Sequence, residues 1–295
     1  MKADPGQPEV TAYLHMSEVE RRIVTTLTRK LMRLVLAALA ITAPLSAMAQ
    51  GESIGIVIMH GKGGSPTRLV ADLARALEGK GYIVANLEMP WSGNRNYDVP
   101  VSKAEEEIEA AVAGLRGKGA KKVFVSGHSQ GGAFALHMAG KLSVDGVIAI
   151  APGGNVANRV FRENLGESVA RARQLVAEGK GNEPARLEDY EGARGTYPVL
   201  AIPAAYITWF DAEGAMNMGR AARAANAQVP ILWIVPKRER PALLKTNLPM
   251  FSTLPANPLT RLYQPDSDHL GAPSASAEEV VRWTREVASA PGPRR

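Results

Sequence analysis

From Ser53 onward the chain alternates short unbroken apolar runs with longer stretches whose apolar residues recur every three or four positions. The unbroken runs predict strands at residues 54–59, 82–87, 122–125, 146–150, 229–235 and 260–263. The periodic stretches predict helices at 66–77, 103–115, 133–142 and 277–288. Strands that stay apolar on both faces are those of a parallel sheet covered on each side by helices, so the pattern predicts an α/β fold.

The rhythm breaks between Asn155 and Gln228. Residues 164–178 read as a charged amphipathic helix, 179–184 as a loop, and 197–218 mix proline, aromatic residues and methionine. The expected organisation is a core of residues 50–154 and 229–295 with residues 155–228 inserted as a cap. Ligands of open α/β sheets bind beyond the carboxyl ends of the strands, where such an insertion would lie.

The first 49 residues follow different rules. Arg29-Lys30-Leu31-Met32-Arg33 precedes an apolar run of ten residues from Leu34, then Pro44 and Ala47-Met48-Ala49. A charged region, a short apolar region and an A-x-A site form a bacterial-type secretory signal. Cleavage after Ala49 is expected, with the signal at 32–49 inside a presequence of 1–49, translation starting at Met32 or, with a longer charged region, at Met16, and export to the periplasm or beyond. The apolar run is too short for a membrane span, which takes about 20 residues. The chain has no cysteine, so neither a disulfide nor a lipidated cysteine is available.

Charge narrows the function classes further. The formal charge of +6 includes +2 from residues 1–49, and no Lys/Arg run or basic-aromatic stripe stands out. Nucleic-acid binding is therefore not expected. No His/Cys/carboxylate spacing suits a metal, and neither a metal nor another cofactor is expected.

The chemistry concentrates in Gly127-His128-Ser129-Gln130-Gly131-Gly132, directly after Val123-Phe124-Val125 and before a helical stretch. G-x-S-x-G between a strand and a helix is a nucleophile elbow, in which a sharp turn lifts the serine above the sheet. A serine needs a base, usually histidine. Of five histidines, His15 lies in the presequence, His60 in a glycine turn, His128 beside the nucleophile and His137 along the same helix. His269, in a loop between the last strand and the last helix, is the expected base. The expected acid is Glu239, the first carboxylate beyond the 229–235 strand. Asp211 is the main alternative, followed by Asp266 and Asp268. For the oxyanion, the amide of Gln130 is one expected donor. The second belongs to His60-Gly61-Lys62-Gly63-Gly64, with Lys62 ahead of Gly61. This run fits no G-x-G-x-x-G or P-loop pattern. Trp91, Tyr206, Trp209 and Phe210 are expected to line the substrate pocket.

These residues together resemble the α/β-hydrolase superfamily in its esterase and lipase-like branch, over roughly residues 53–290. The resemblance implies a Ser-His-acid hydrolase with an acyl-enzyme intermediate and no cofactor. The implied fold is a compact sheet of about six mostly parallel strands, with a helical cap inserted after the strand that ends near Ala151. Two departures stand out: the sheet begins at what looks like the family's third strand, and glutamate replaces the more usual aspartate. Ser129 argues against the dehalogenase branch, which uses an aspartate nucleophile. A small-molecule or lipid-like ester is the expected substrate. An amidase, peptidase or acyltransferase with the same triad, or a non-catalytic binding scaffold, are the competing readings.

Overall fold

The computed structural model describes residues 17–18 and 52–291. The chain divides after Gly51 into two units, and the second contains the sheet and its helices. The expected presequence and its signal lie outside the described residues, apart from Ser17 and Glu18.

Six strands form one parallel sheet: β1 (Ile54–Met59), β2 (Ile83–Leu87), β3 (Lys122–His128), β4 (Gly146–Ile150), β7 (Ile231–Ile234) and β8 (Arg261–Tyr263). Their spatial order is β2-β1-β3-β4-β7-β8. The connections run outward in opposite directions on either side of β1 and β3. The crevice beyond their carboxyl ends is thus the place where this topology receives a ligand.

The helices cover both faces, as the unalternating strands require. Within β1, Ile54, Ile56 and Ile58 pack into one apolar cluster while Val57 and Met59 pack into the other. The first cluster contains Leu73 and Leu77 of α1 (Ala71–Gly79) and Trp283 of α9 (Ala277–Ser289). The second contains Leu115 of α2 (Val101–Gly117) and Phe134 of α3 (Gln130–Met138). Gly146 lets the indole of Trp283 approach β4, since a Cβ there would sit 2.7 Å from the ring. Helix α1 starts later than the pattern suggests because residues 66–70 form turns.

The insertion between β4 and β7 departs from expectation in one respect. It holds α4 (Arg159–Ala177), α5 (Pro203–Trp209) and α6 (Met218–Ala224), but also an antiparallel hairpin of β5 (Ala185–Glu191) and β6 (Gly195–Ala201). The cap is therefore mixed, not purely helical. Two further helices follow β7 and β8 in turn: α7 (Pro241–Phe251) and α8 (Ala272–Ala275).

Candidate active site

Strand β3 runs straight into the turn at Ser129, whose φ of 54° and ψ of −115° lie outside the usual regions for an L-residue. The neighbouring glycines permit it. A Cβ on Gly127 would fall on the Gly131 carbonyl, and one on Gly131 would lie 2.6 Å from the carbonyl oxygen of Met59. The turn is pinned by main-chain bonds from Ser129 N–H to Ile150 at 2.9 Å and from Gly153 N–H to Ser129 at 3.0 Å. The strain is held by the sheet on either side.

The loops after β7 and β8 bring the other two side chains to this point. Their parallel pairing continues past the strand ends: Lys237 N–H bonds Pro265, Arg238 N–H bonds Ser267, and Arg238 bridges to Asp268. The register sets Glu239 beside His269. The Nδ1–H of His269 donates to Glu239 Oε2 at 2.7 Å, so Nε2 carries the lone pair, and Ser129 Oγ lies 3.1 Å from it. Glu239 Oε1 accepts the Arg240 amide at 2.7 Å, and its carboxylate is fully buried. Both oxygens of the buried acid are satisfied, as its burial demands.

The competing acids are engaged elsewhere. Asp211 caps the Glu213 amide and lines a separate cavity of about 690 Å³ beside Glu105 and His137. Asp266 pairs with Arg238, and Asp268 accepts the Gly271 amide at 2.8 Å. His137 bonds Glu105 at 2.6 Å. His60 Nε2 accepts the Met89 amide at 3.0 Å, and burial lowers its pKa.

In the turn after β1, the amides of Gly63 and Gly64 are occupied by the carbonyls of Trp91 and Gly61. Those of Gly61 and Lys62, and that of Gln130 at the start of α3, have no acceptor among the described residues. Gly61 packs directly on Ser129, since a Cβ there would stand 3.1 Å from Ser129 Cβ. Free N–H groups flanking a serine hydroxyl are the arrangement that stabilises an oxyanion.

A cavity of about 890 Å³ opens over Ser129 and His269. Phe161 and Tyr190 of the insertion and Leu243 of α7 form its walls. Leu69, Val160 and Leu270 also line it, each roughly half exposed at 46%, 45% and 51%, together with Arg68, Asp72, Glu191 and Arg240. The four aromatic residues expected there are elsewhere. Trp91, Tyr206, Trp209 and Phe210 are buried in the core beneath the insertion, where they pack on one another or on Tyr97. Their polar atoms serve the fold: the Trp209 indole bonds the Val99 carbonyl and the Tyr206 hydroxyl bonds that of Glu188. Trp91 bonds the His60 carbonyl at 2.9 Å and so braces the glycine turn from below. Phe161, Tyr190 and Leu243 escaped sequence reasoning because nothing in their spacing separates a cavity wall from a core face.

Residues 56–291 match the sequence profile of the Alpha/beta hydrolase family. The chain belongs to that family. No curated protein is similar enough in sequence to count as a relative. Among solved structures, a monoacylglycerol lipase from Paleococcus ferrophilus superposes with a TM-score of 0.55 at 19% identity, covering 79% of this chain and 94% of that one. Est1E from Butyrivibrio proteoclasticus, solved with ferulic acid, gives 0.55 at 16% identity, covering 82% and 92%. A structure from work on the metagenome-derived lipolytic enzymes LipS and LipT gives 0.54 at 20%, covering 80% and 95%. At these identities the likeness is one of fold. Among the described residues of this hydrolase, no helix is long and apolar enough to cross a membrane, and no cluster of His, Cys, Asp or Glu is arranged to hold a metal ion.

Proposed function

We propose that this hydrolase is an exported serine esterase that cleaves carboxylic esters through an acyl-enzyme. The observation that carries the reading is the hydrogen-bonded series Ser129–His269–Glu239 on a strained turn. Ser129 Oγ attacks the ester carbonyl as His269 Nε2 takes its proton. The amides of Gln130 and Lys62 hold the oxyanion, and Glu239 stabilises the imidazolium. His269 returns the proton to the departing alkoxide. Water then repeats the sequence on the acyl group and frees Ser129. Leu69, Val160, Phe161, Leu243 and Leu270 give the cavity apolar surface for an acyl chain, which it shares with Arg68, Asp72, Glu191 and Arg240. The lipase and esterase structures of like fold support the same substrate class.

Labelling by a fluorophosphonate, with turnover of nitrophenyl esters from short to long, tests the chemistry. Label and turnover that both vanish in Ser129→Ala support it, whereas a folded wild-type protein that takes no label overturns it. Export rests on the signal-like segment ending at Ala49. Amino-terminal sequencing of protein recovered from a bacterial periplasm is expected to begin at Gln50, and protein found only in the cytosol with residues 1–49 retained would refute it.

A further inference from the structure

One cluster of buried charge lies outside the Ser129–His269–Glu239 series yet includes Lys62, one of the two residues whose amides the proposed mechanism uses. Asp189 sits in β5 directly across from Tyr197 of β6, with its side chain turned under the hairpin and 2% exposed. Its Oδ1 receives the ammonium of Lys62 at 2.5 Å and the amide of Tyr190 at 2.7 Å. Its Oδ2 accepts the hydroxyls of Tyr97 at 2.6 Å and Tyr197 at 3.1 Å. Lys62 makes a second bond to the Tyr190 carbonyl at 3.0 Å, and its side chain is only 8% exposed. The rings of Phe161 and Phe210 lie 5.2 and 5.6 Å from its nitrogen. A lysine so enclosed has little rotamer freedom, and its main chain is held by its own side chain.

Tyr97 extends the cluster into the core beneath the insertion. Its hydroxyl donates to Asp189, and its ring packs against Trp209 and Phe210. Burial first, and then the charge of Asp189, raise its pKa well above the ordinary tyrosine value, so it stays a neutral donor. Its backbone adopts φ of 59°, costly for an aromatic residue and sustained by surrounding contacts. Burying a lysine and an aspartate carries a desolvation cost that a surface pair would avoid. A pair kept at that cost is well suited to setting geometry.

We propose that Asp189 is a positioning residue for the oxyanion hole, holding Lys62 by its ammonium so that the Lys62 amide keeps its place in the turn after β1. This deepens the serine-esterase reading and rests on it. Misplacing a donor by about 1 Å costs on the order of a hundredfold in rate, while ground-state binding is barely touched. The test compares wild type with Asp189→Asn and with the paired variant Lys62→Met/Asp189→Asn, which leaves no lone buried charge and keeps the fold accessible if the single variant does not. Active sites are counted by exhaustive fluorophosphonate titration, and rates are expressed per titrated site. The expected result is a fall in kcat of roughly ten- to a hundredfold with KM within about threefold, and affinity for a boronic acid transition-state analogue weakened in parallel. An unchanged kcat per site, even with lowered thermal stability, would overturn the proposal by making Asp189 a purely structural residue. So would a rise in KM alone, which would make it a binding residue. A wild-type protein that takes no label would instead remove the esterase reading itself, which separates the two failures.

Discussion

The imidazole of His128 donates its Nε2–H to the main-chain carbonyl of His269 at 2.9 Å, so the residue before Ser129 holds the loop that carries His269. The two rings lie 5.0 Å apart. His128 is fully enclosed, its Nδ1 has no partner, and burial followed by the nearby His269 pushes its pKa down to about 3. It therefore works as a neutral, fixed donor. His128→Leu is expected to lower kcat/KM by about ten- to a hundredfold, the kinetic equivalent of one lost buried bond of about 1–3 kcal/mol. His128→Gln, whose amide reaches roughly as far as Nε2, should retain more activity than the leucine variant. Steady-state kinetics with circular dichroism as a fold control checks both.

Buried histidines also set how the fold responds to acid. His60, His128 and His137 all have pKa values lowered from 6.5, in each case chiefly by burial. The unfolded chain then binds more protons than the folded one below pH 6.5. Stability is complete above that value and falls with pH, for His128 down to about 3. Each such histidine contributes up to about 1.4 kcal/mol per pH unit within its window. Urea unfolding at about pH 7.5 and pH 5 should show His128→Gln losing about 2 kcal/mol less than wild type on acidification.

Replacing the acid separates two candidates that sequence alone left open. Glu239→Gln keeps the shape but cannot hold the imidazolium, and kcat should fall by about a thousandfold or more. Asp211→Asn, which alters a different cavity, should stay within about twofold of wild type. Turnover of a nitrophenyl ester by each variant decides the matter, and similar losses in both would count against Glu239.

Chain-length preference should respond to Leu243. Its Cδ2 and Ser129 Oγ both lie 3.6 Å from the spot a Cβ on Gly153 would occupy, so the two flank the same point of the cavity. Leu243→Trp should shift selectivity toward short acyl chains by about tenfold, since each excluded methylene is worth about 1–3 kcal/mol. The ratio of kcat/KM for butyrate and decanoate esters is the measurement.

The parallel strands could be read from the chain because a strand buried on both faces is a plain apolar run, as Ile54–Met59 is. Ser129 was legible from its glycines and His269 from elimination among few histidines. Glu239 was legible as the first acid past β7, although the continued pairing of the two loops that places it could not be foreseen. The β5–β6 hairpin stayed hidden for a physical reason. The inward positions of β5 are Leu187 and Asp189, so the alternation that marks a half-buried strand is broken by a charge. Trp91 misled in the opposite direction. An aromatic residue after a strand end can face a ligand or the core, and here its indole braces the turn below the site.

The Lys62–Asp189 pair has a consequence for building chimeras. Segments inserted above an α/β sheet invite exchange between relatives as a way to alter selectivity. In this chain the exchanged piece would take away a carboxylate whose partner stays behind in the turn after β1, leaving an enclosed ammonium without a counter-charge. A workable graft must therefore travel as a matched set, with the position of Lys62 and that of Tyr97 rewritten together with the hairpin.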